Sequence, residues 1–347
     1  MLFTKAVSVL SLFTGLTAAH PGHDVAQEAA ERRDYLQSAK RTSLAHCAGK
    51  LRARGTEARN VARRQAVIEK ARQKRGLKKR EIDTVLNTDH DKTELGYTRD
   101  TDPATLFAGY NSCLLTPEVT EGPYYVAGEY VRENVVEDQP GVPLLLDYQV
   151  IDIATCEPVP DVYVEIWHCN ATGVPTDADG VAQFESVFPG HYTGRTTHIH
   201  IAVHANATLL PNQTLGLDTY ASHVGQSFFD QKLISEVEKL APYESNAQPL
   251  TTNVDDFIMA QEAATEGVDP VMEYTLLGET VEEGLFAWIA FGVDSSRSKP
   301  VRPAVYLQEE GGVVNPSGGI GGPGGFPSGF PTGFPGGFST RKRTAPS

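Results

Sequence analysis

The densest cluster of reactive side chains in this 347-residue chain includes two histidines separated by one residue, His198 and His200. In a β-strand, side chains two positions apart point to the same face, so the two imidazoles lie side by side while Ile199 faces the other way. Such a pair suits a metal ion, although two strand histidines that face solvent or a polar patch are the alternative. Tyr192 and Arg195, which precede the pair, favour the metal site.

Tyr192 adds a third candidate ligand, at the end of the preceding strand or in the turn that leads to the histidines. A phenolate is a hard, anionic ligand, and two imidazoles with one phenolate match ferric iron better than zinc or calcium. The residue types and their spacing therefore predict a non-haem iron site formed by Tyr192, His198 and His200.

The elements that must position this cluster are mostly strands. Six segments of strand length alternate or run apolar and are rich in Val, Ile, Tyr and Phe. These segments are 144–151, 162–167, 182–187, 198–203, 272–277 and 285–293. One further segment, 231–240, has a helical pattern. The pattern predicts an all-β fold, an antiparallel β-sandwich with one or two short helices.

Charge is distributed unevenly along the chain, which has 30 Lys and Arg, 44 Asp and Glu, and a formal net charge of −14. Residues 24–80 contain 17 basic and 6 acidic side chains, whereas residues 81–347 contain 12 and 38. The acidic balance argues against a nucleic-acid partner. Apart from the extreme N-terminus, no apolar stretch approaches the roughly 20 residues of a membrane span, so we expect no membrane partner.

The N-terminal 19 residues have the pattern of a secretory signal peptide. Lys5 is followed by an apolar run at 6–16 and by small residues up to Ala19, so cleavage would leave His20 at the mature N-terminus. A buried helix is the alternative, but the run is short and ends in small residues. Three N-glycosylation sequons agree with a secreted, extracellular glycoprotein; they begin at Asn170, Asn206 and Asn212.

Residues 20–104 form a charged segment that precedes the body of the protein. Ala, Arg, Gln, Glu and Lys dominate 24–80, which predicts two or three helices with little core of their own. Lys78-Lys79-Arg80 resembles a dibasic processing site. Two interpretations stay open: a propeptide removed after Arg80, or a helical arm that wraps a partner subunit in a homodimer.

The body, 105–305, has about 200 residues, a normal size for one hydrophobic core. Residues 306–347 form a Gly/Pro/Phe-rich tail, in which 311–347 contain 12 Gly and 6 Pro. Such a composition cannot bury enough apolar surface to offset the entropy lost on ordering, so we expect a disordered tail.

Four cysteines, an even number, favour disulfides in a secreted chain; they are Cys47, Cys113, Cys156 and Cys169. Four cysteines allow three pairings, and we expect Cys113–Cys156. Removal of the segment up to residue 80 would take Cys47 away and leave one thiol unpaired, which favours an arm that stays attached.

Several stretches of the body resemble the intradiol ring-cleavage dioxygenases, specifically their secreted fungal branch; they are 115–125, 164–170, 188–200 and 223–226. The resemblance covers most of 105–300, and its Tyr…Arg-x-x-His-x-His block is specific. It implies a non-haem Fe(III) ion held by two tyrosinates and two histidines. Three of those four positions match here, at Tyr192, His198 and His200.

The resemblance also implies roles and a reaction. Arg195 would stabilise negative charge that develops on the substrate ring, and Gln226 would support the site. A small catechol-type diol and O2 would react, and cleavage between the two hydroxyls would give a muconate-type diacid. The tyrosinate at Tyr192 would accept a substrate proton as it leaves the metal.

One position departs from the family pattern. The family's second tyrosine ligand follows the Trp-His-x-Asn strand, but 173–176 reads Gly-Val-Pro-Thr here, and a loop usual at this place is missing. Three explanations stay open: an incomplete gene model, which we favour; replacement by Tyr124 or Tyr125; or loss of catalysis. A transthyretin-like binding module is the rival class, and it requires neither the His-x-His pair nor Arg195.

Overall fold

The structure is a computed structural model, and it describes residues 44–76, 112–114, 125–168, 171–175, 177–178, 180–216, 220–221, 223–263, 269–308 and 311–315. The predicted signal peptide, the dibasic sequence at 78–80, Tyr124, the sequon at Asn170 and most of the predicted tail lie outside these residues. Within the described part, no helix is long and apolar enough to cross a membrane.

Strands outnumber helices in the described part of the chain. The helices are α1 (Ala48–Ala53), α2 (Thr56–Arg75), α3 (Gln231–Val237) and α4 (Phe257–Ala263). The strands are β1 (Ser112–Leu114), β2 (Val126–Ala127), β3 (Pro143–Asp152), β4 (Tyr163–Trp167), β5 (Ala171–Pro175), β6 (Val181–Val187), β7 (His198–His204), β8 (Tyr220–Ala221), β9 (His223–Phe228), β10 (Glu273–Leu276), β11 (Leu285–Val293), β12 (Lys299–Pro300), β13 (Val305–Gln308) and β14 (Gly311–Val314). Each of the six predicted strand segments falls on an observed strand, and the predicted helix is α3.

Two larger sheets form the body. One has the order β1-β11-β3-β6, with β10 also paired to β11, and the other has the order β5-β4-β7-β9. The second sheet, called the site sheet below, is antiparallel throughout. In the first sheet, however, β3 and β1 both run parallel to β11. The sheets are therefore mixed rather than purely antiparallel as predicted, because β3 and β11 are too far apart in sequence for a hairpin turn to set their direction.

One hydrophobic core joins the two larger sheets. Ile199 and Ile201 of β7 and Val164 of β4 belong to the same buried cluster as Leu146 of β3 and Ile289 of β11. Each such side chain contributes about 1.5–3 kcal/mol when fully buried. Since successive side chains of a strand alternate between its faces, this core holds β7 by one face and leaves the histidines of β7 on the other.

Helix α2, which lies within the basic stretch 24–80, packs on the body of its own chain. Ile68 and Ala71 of α2 share a buried cluster with Phe286 and Trp288 of β11. The guanidinium carbon of Arg64 also lies 5.4 Å from the centroid of the Trp288 ring. The charged helix α2 thus packs its apolar side chains against the sheet instead of forming a core of its own.

A buried carboxylate in the sheet holds this helix. Asp147 accepts hydrogen bonds from Arg63 Nε at 3.1 Å and Arg64 Nε at 3.2 Å. Gln183 Nε2 donates to the same carboxylate at 2.8 Å. Burial alone would raise the pKa of Asp147, but the guanidinium groups of Arg64 and Arg63 bring that pKa below its usual value. The Asp147 carboxylate is thus ionised in the folded protein at neutral pH and forms ion pairs with Arg63 and Arg64.

A disulfide joins the segment before α1 to the turn after β3. It links Cys47 to Cys156, with a Cα–Cα distance of 5.1 Å and 109 residues of separation. The expected Cys113–Cys156 pairing is therefore wrong. Cys113 lies on β1, which is separated from β3 by β11. Two strand spacings amount to about 10 Å, beyond the roughly 7 Å that a disulfide can bridge between Cα atoms.

The predicted start of the disordered tail, at residue 306, lies before residues that are in strands. Strands β13 and β14 form a hairpin within the segment assigned to it, and β13 pairs in parallel with β2. Asn315 Nδ2 closes this hairpin by donating to the Pro303 carbonyl at 2.8 Å. The β-branched and aromatic residues at 305, 306, 313 and 314 explain the strands, because only the following stretch is dominated by Gly and Pro.

Candidate metal centre

The two histidines of β7 lie side by side on the face of the site sheet opposite to Ile199 and Ile201, as the strand alternation predicts. The Nε2 atoms of His198 and His200 are 3.1 Å apart, and both side chains are buried. His198 Nδ1 lies 2.6 Å from the Thr196 carbonyl, which only accepts hydrogen bonds. This nitrogen therefore carries the proton, and Nε2 of His198 presents a lone pair toward His200.

A tight turn brings Tyr192 to the pair. Tyr192 and Arg195 form an isolated antiparallel bridge, and Gly194 within the turn has a φ of +89°, which favours glycine. The Tyr192 hydroxyl consequently lies 3.3 Å from His198 Nε2. Both distances from His198 Nε2 are short enough for each pair of atoms to bind one ion, because metal–nitrogen bonds are about 2.0–2.1 Å long. The residues present thus fit a metal ion next to His198.

A second possible metal site exists among the His, Cys, Asp and Glu residues of the described part. Its three ligand atoms all lie within 4.8 Å of one another. It consists of His46, Cys47 and Cys156. Both sulfurs belong to the disulfide, so they offer no thiolate for a metal. The donor set that includes a tyrosine is the better candidate.

Arg195 places a buried positive charge at the three donors. Its Nη1 lies 3.5 Å from His198 Nε2, its side chain is 1% exposed, and its Nη2 donates to the Gln226 side-chain oxygen. A guanidinium held in a site shielded from water stabilises negative charge more strongly than it would in solution. The structure thus brings Arg195 and Gln226 to the three predicted ligands.

Gln226 lies on β9, directly opposite His200 in the strand register. Its side-chain oxygen accepts from Arg195, while its Nε2 is buried with no hydrogen-bond partner among the described residues. A buried donor without a partner costs about 1–3 kcal/mol. This amide is therefore available to an oxygen atom of a bound ligand.

Trp167 of β4 supports His200 from the neighbouring strand. The two residues face each other in register, and their rings stack at 5.0 Å between centroids with a 9° interplanar angle. The Tyr125 ring contacts the same indole at 4.8 Å. This stacking fixes the plane of the His200 imidazole.

The hydroxyl of Tyr125 belongs to a buried hydrogen-bonded group with Glu165 and His204. It donates to Glu165 Oε2 at 3.0 Å, and His204 Nε2 lies 2.8 Å from the same oxygen. Burial alone would lower the pKa of His204, but the Glu165 carboxylate raises that pKa above its usual value. In this structure Tyr125 therefore binds Glu165 instead of replacing the second tyrosine ligand. The other candidate, Tyr124, lies outside the described residues.

The place where the second tyrosine is missing maps to the edge of the site sheet. It falls at the end of β5, in which Gly173 is opposite Glu165 of β4. Ala171 of the same strand is opposite Trp167. Positions 171 and 173 thus share the face of the sheet on which Trp167 and His200 stack.

Sequence reasoning missed Asp256, which lies just before α4. Its carboxylate accepts from Arg195 Nε at 2.8 Å and from the Thr196 backbone N–H at 2.8 Å. The Met259 backbone N–H also donates to it at 2.8 Å. An aspartate at the start of a helix is a common N-cap, so its sequence position indicates a structural role and gives no sign of the contact with Arg195.

The chain is similar to proteins of one enzyme class. It is 43% identical over 63 residues to catechol 1,2-dioxygenase from Pseudomonas sp. (strain EST1001), a match that covers 17% of this chain and 20% of that protein. The match thus spans about a fifth of the length of this curated relative. No protein-family model matches the chain.

Similar solved structures include an intradiol ring-cleavage dioxygenase from Tetranychus urticae, with 25% identity and a TM-score of 0.44, covering 53% of this chain and 96% of that one. They also include the dioxygenase domain of a dioxygenase and carbohydrate-binding protein fusion from Streptomyces sp. SirexAA-E. That domain has 23% identity and a TM-score of 0.35, covering 52% of this chain and 98% of its own.

Proposed function

We propose that the protein is a non-haem Fe(III) dioxygenase that cleaves catechol-type aromatics between their hydroxyls with O2, giving muconate-type diacids. The observation that carries this proposal is that His198 Nε2 lies 3.3 Å from the Tyr192 hydroxyl and 3.1 Å from His200 Nε2. The local identity to a catechol 1,2-dioxygenase supports it.

The side chains of the site have distinct tasks in this reaction. Tyr192, His198 and His200 would hold the ion, which would supply Lewis acidity and orient the diol. Tyr192, as the phenolate that binds the ion, would accept a proton from a substrate hydroxyl and so become a neutral phenol. Arg195 stabilises negative charge on the diol ring from a buried position, and Gln226 Nε2 donates to a ligand oxygen.

A binding module without catalysis is the second candidate function. It is favoured by the engagement of the Tyr125 hydroxyl with Glu165, which leaves Tyr192 as the phenol beside the histidine pair among the described residues. With one phenolate instead of two, the charge of a ferric ion is less neutralised and the ion is held more weakly. This candidate predicts a protein that binds a ligand and consumes no O2.

The test is to purify the full chain after growth with iron and to measure bound iron by elemental analysis, visible absorption, and O2 uptake with catechol. Iron at one equivalent, a tyrosinate-to-iron absorption band and a diacid product support the proposal. His200→Ala should lose the iron, whereas His46→Gln, which removes a histidine outside the site sheet, should keep it. An iron-free, colourless protein without O2 uptake refutes the proposal.

We also propose that the protein is a secreted, extracellular glycoprotein. Support comes from the signal-peptide pattern and from two sequon asparagines, Asn206 and Asn212, which are exposed in the loop after β7. The Asn212 side-chain oxygen accepts from the Thr214 hydroxyl at 2.9 Å. Expression in a eukaryotic secretory host should give a protein in the medium that shifts in mass with an endoglycosidase. An intracellular, unshifted product contradicts this proposal.

A further inference from the structure

One carboxylate lies behind the guanidinium of Arg195. Asp256 is fully buried, and its Oδ2 accepts from Arg195 Nε at 2.8 Å while its Oδ1 lies 3.5 Å from Arg195 Nη2. The opposite edge of the guanidinium, Nη1, is the one near His198 Nε2. The carboxylate and the metal donors therefore contact different nitrogen atoms of the same planar group.

The same carboxylate also fixes the backbone that leads to the histidines. The Thr196 N–H donates to Asp256 Oδ2, and the Thr196 carbonyl lies 2.6 Å from His198 Nδ1. A neighbouring contact reinforces this connection, since the Thr196 hydroxyl lies 2.6 Å from the Asn253 side-chain oxygen. The 253–256 segment consequently sets both the orientation of Arg195 and the proton position on His198.

We propose that Asp256 is a positioning residue for the proposed ring cleavage, acting through Arg195 without touching the substrate. This inference rests on the proposed function. An arginine carries five N–H donors on a rigid plane, so contacts on two of its edges fix the orientation of that plane. The bond from Nε to Asp256 holds Nη1 beside His198 Nε2, where the proposed diol would bind.

The first experiment replaces Asp256 by asparagine, which keeps the size and one acceptor but removes the charge. We expect kcat to fall about 100-fold, the loss typical of a displaced electrostatic group. The affinity for catechol, measured anaerobically from the absorption of the ferric complex, should change less than about threefold. Asp255→Asn is the matched control, because Asp255 is an exposed neighbour that binds Thr252, and it should retain wild-type kcat.

A double-mutant cycle with Arg195→Met separates positioning from general structural support. If Asp256 acts through Arg195, then Asp256→Asn should change kcat less than about threefold in the Arg195→Met background. Losses that multiply in the double variant overturn the proposal, as does wild-type kcat in Asp256→Asn alone. Should Asp256→Asn fold poorly, Asp256→Glu replaces it, because it keeps the charge and moves the carboxylate by one methylene group. A drop in kcat at unchanged catechol affinity then supports the proposal, and wild-type kcat overturns it.

The thermal-unfolding midpoints of the same variants can also be compared, and this measurement does not depend on enzyme activity. Arg195→Met leaves the buried Asp256 carboxylate without its counter-charge, bound to the backbone N–H groups of Thr196 and Met259. Asp256→Asn should therefore raise the midpoint in that background while lowering it in the wild type. A lowered midpoint in both backgrounds contradicts the pairing. If the wild type cleaves no catechol but this sign change is present, the proposed function fails while the structural pairing holds.

Discussion

Replacing Asp147 by asparagine tests whether the basic helix α2 is an integral part of the folded body. The carboxylate is fully buried, as is most of Arg64, so the substitution leaves a guanidinium without its counter-charge. Breaking a buried pair from one side typically costs 3–5 kcal/mol. Arg63 is 17% exposed and can turn toward water, and Arg64 keeps its contact with the Trp288 ring. We therefore expect a loss near the lower limit, about 3 kcal/mol.

The assay is equilibrium unfolding in guanidinium chloride, together with a thermal midpoint. For a body of about 200 residues, a loss of 3 kcal/mol corresponds to a fall of roughly 6–12 °C. Lys74→Gln is the matched control on the same helix, because its pair with Glu185 is exposed on both sides. That change should cost less than about 1 kcal/mol. A loss below 1 kcal/mol for Asp147→Asn would refute the inference that the helix is held by this charge.

The pH dependence of the same variant gives an independent check. The pKa of Asp147 is lower in the folded protein than in the unfolded chain, so its contribution to stability is present above the unfolded pKa near 3.9. It is lost as the pH falls through the lowered folded value. The stability difference between wild type and Asp147→Asn should accordingly be constant at neutral pH and shrink in acid. A difference that grows on acidification contradicts this assignment.

Three further predictions concern single contacts. The joint change of Cys47 and Cys156 to serine should lower the free energy of unfolding by up to about 4.7 kcal/mol, the value for a closed loop of about 100 residues, and an unchanged denaturation midpoint contradicts it. In the iron-loaded protein, Tyr192→Phe should abolish the tyrosinate absorption while Tyr125→Phe preserves it, and the reverse result would exchange their roles. Gly180→Ala should destabilise by more than about 1 kcal/mol in a denaturant titration, because φ is +72° and a Cβ would lie 2.5 Å from the Val150 carbonyl oxygen; wild-type stability would refute that strain.

The candidate site could be predicted where it depends on local spacing. His198 and His200 are two residues apart, so strand alternation alone places them on one face. Tyr192 and Arg195 lie on the turn that enters the same strand, and both reach the pair within a few residues of chain. Gln226 was predicted from a family resemblance, and the register of β7 and β9 brings it opposite His200.

Contacts between distant parts of the chain could not be predicted. Asp256 meets Arg195 across 61 residues, and Cys47 meets Cys156 across 109. Neither contact leaves a periodic signal, because each depends on how separate elements dock. The same holds for Asp147, which lies in a mostly apolar strand and whose charge is explained by a helix more than 80 residues earlier in the sequence.

The stacking of Trp167 on His200 gives the protein an internal optical reporter. The chain has two tryptophans, and they lie in different settings: Trp167 against a metal-ligand candidate, and Trp288 beneath the guanidinium of Arg64. Iron bound at His200 would quench the fluorescence of Trp167 at short range, while release of α2 would change the emission of Trp288. With either tryptophan replaced by phenylalanine, the remaining emission follows one event, so that metal loading and helix docking become separately observable in the same solution.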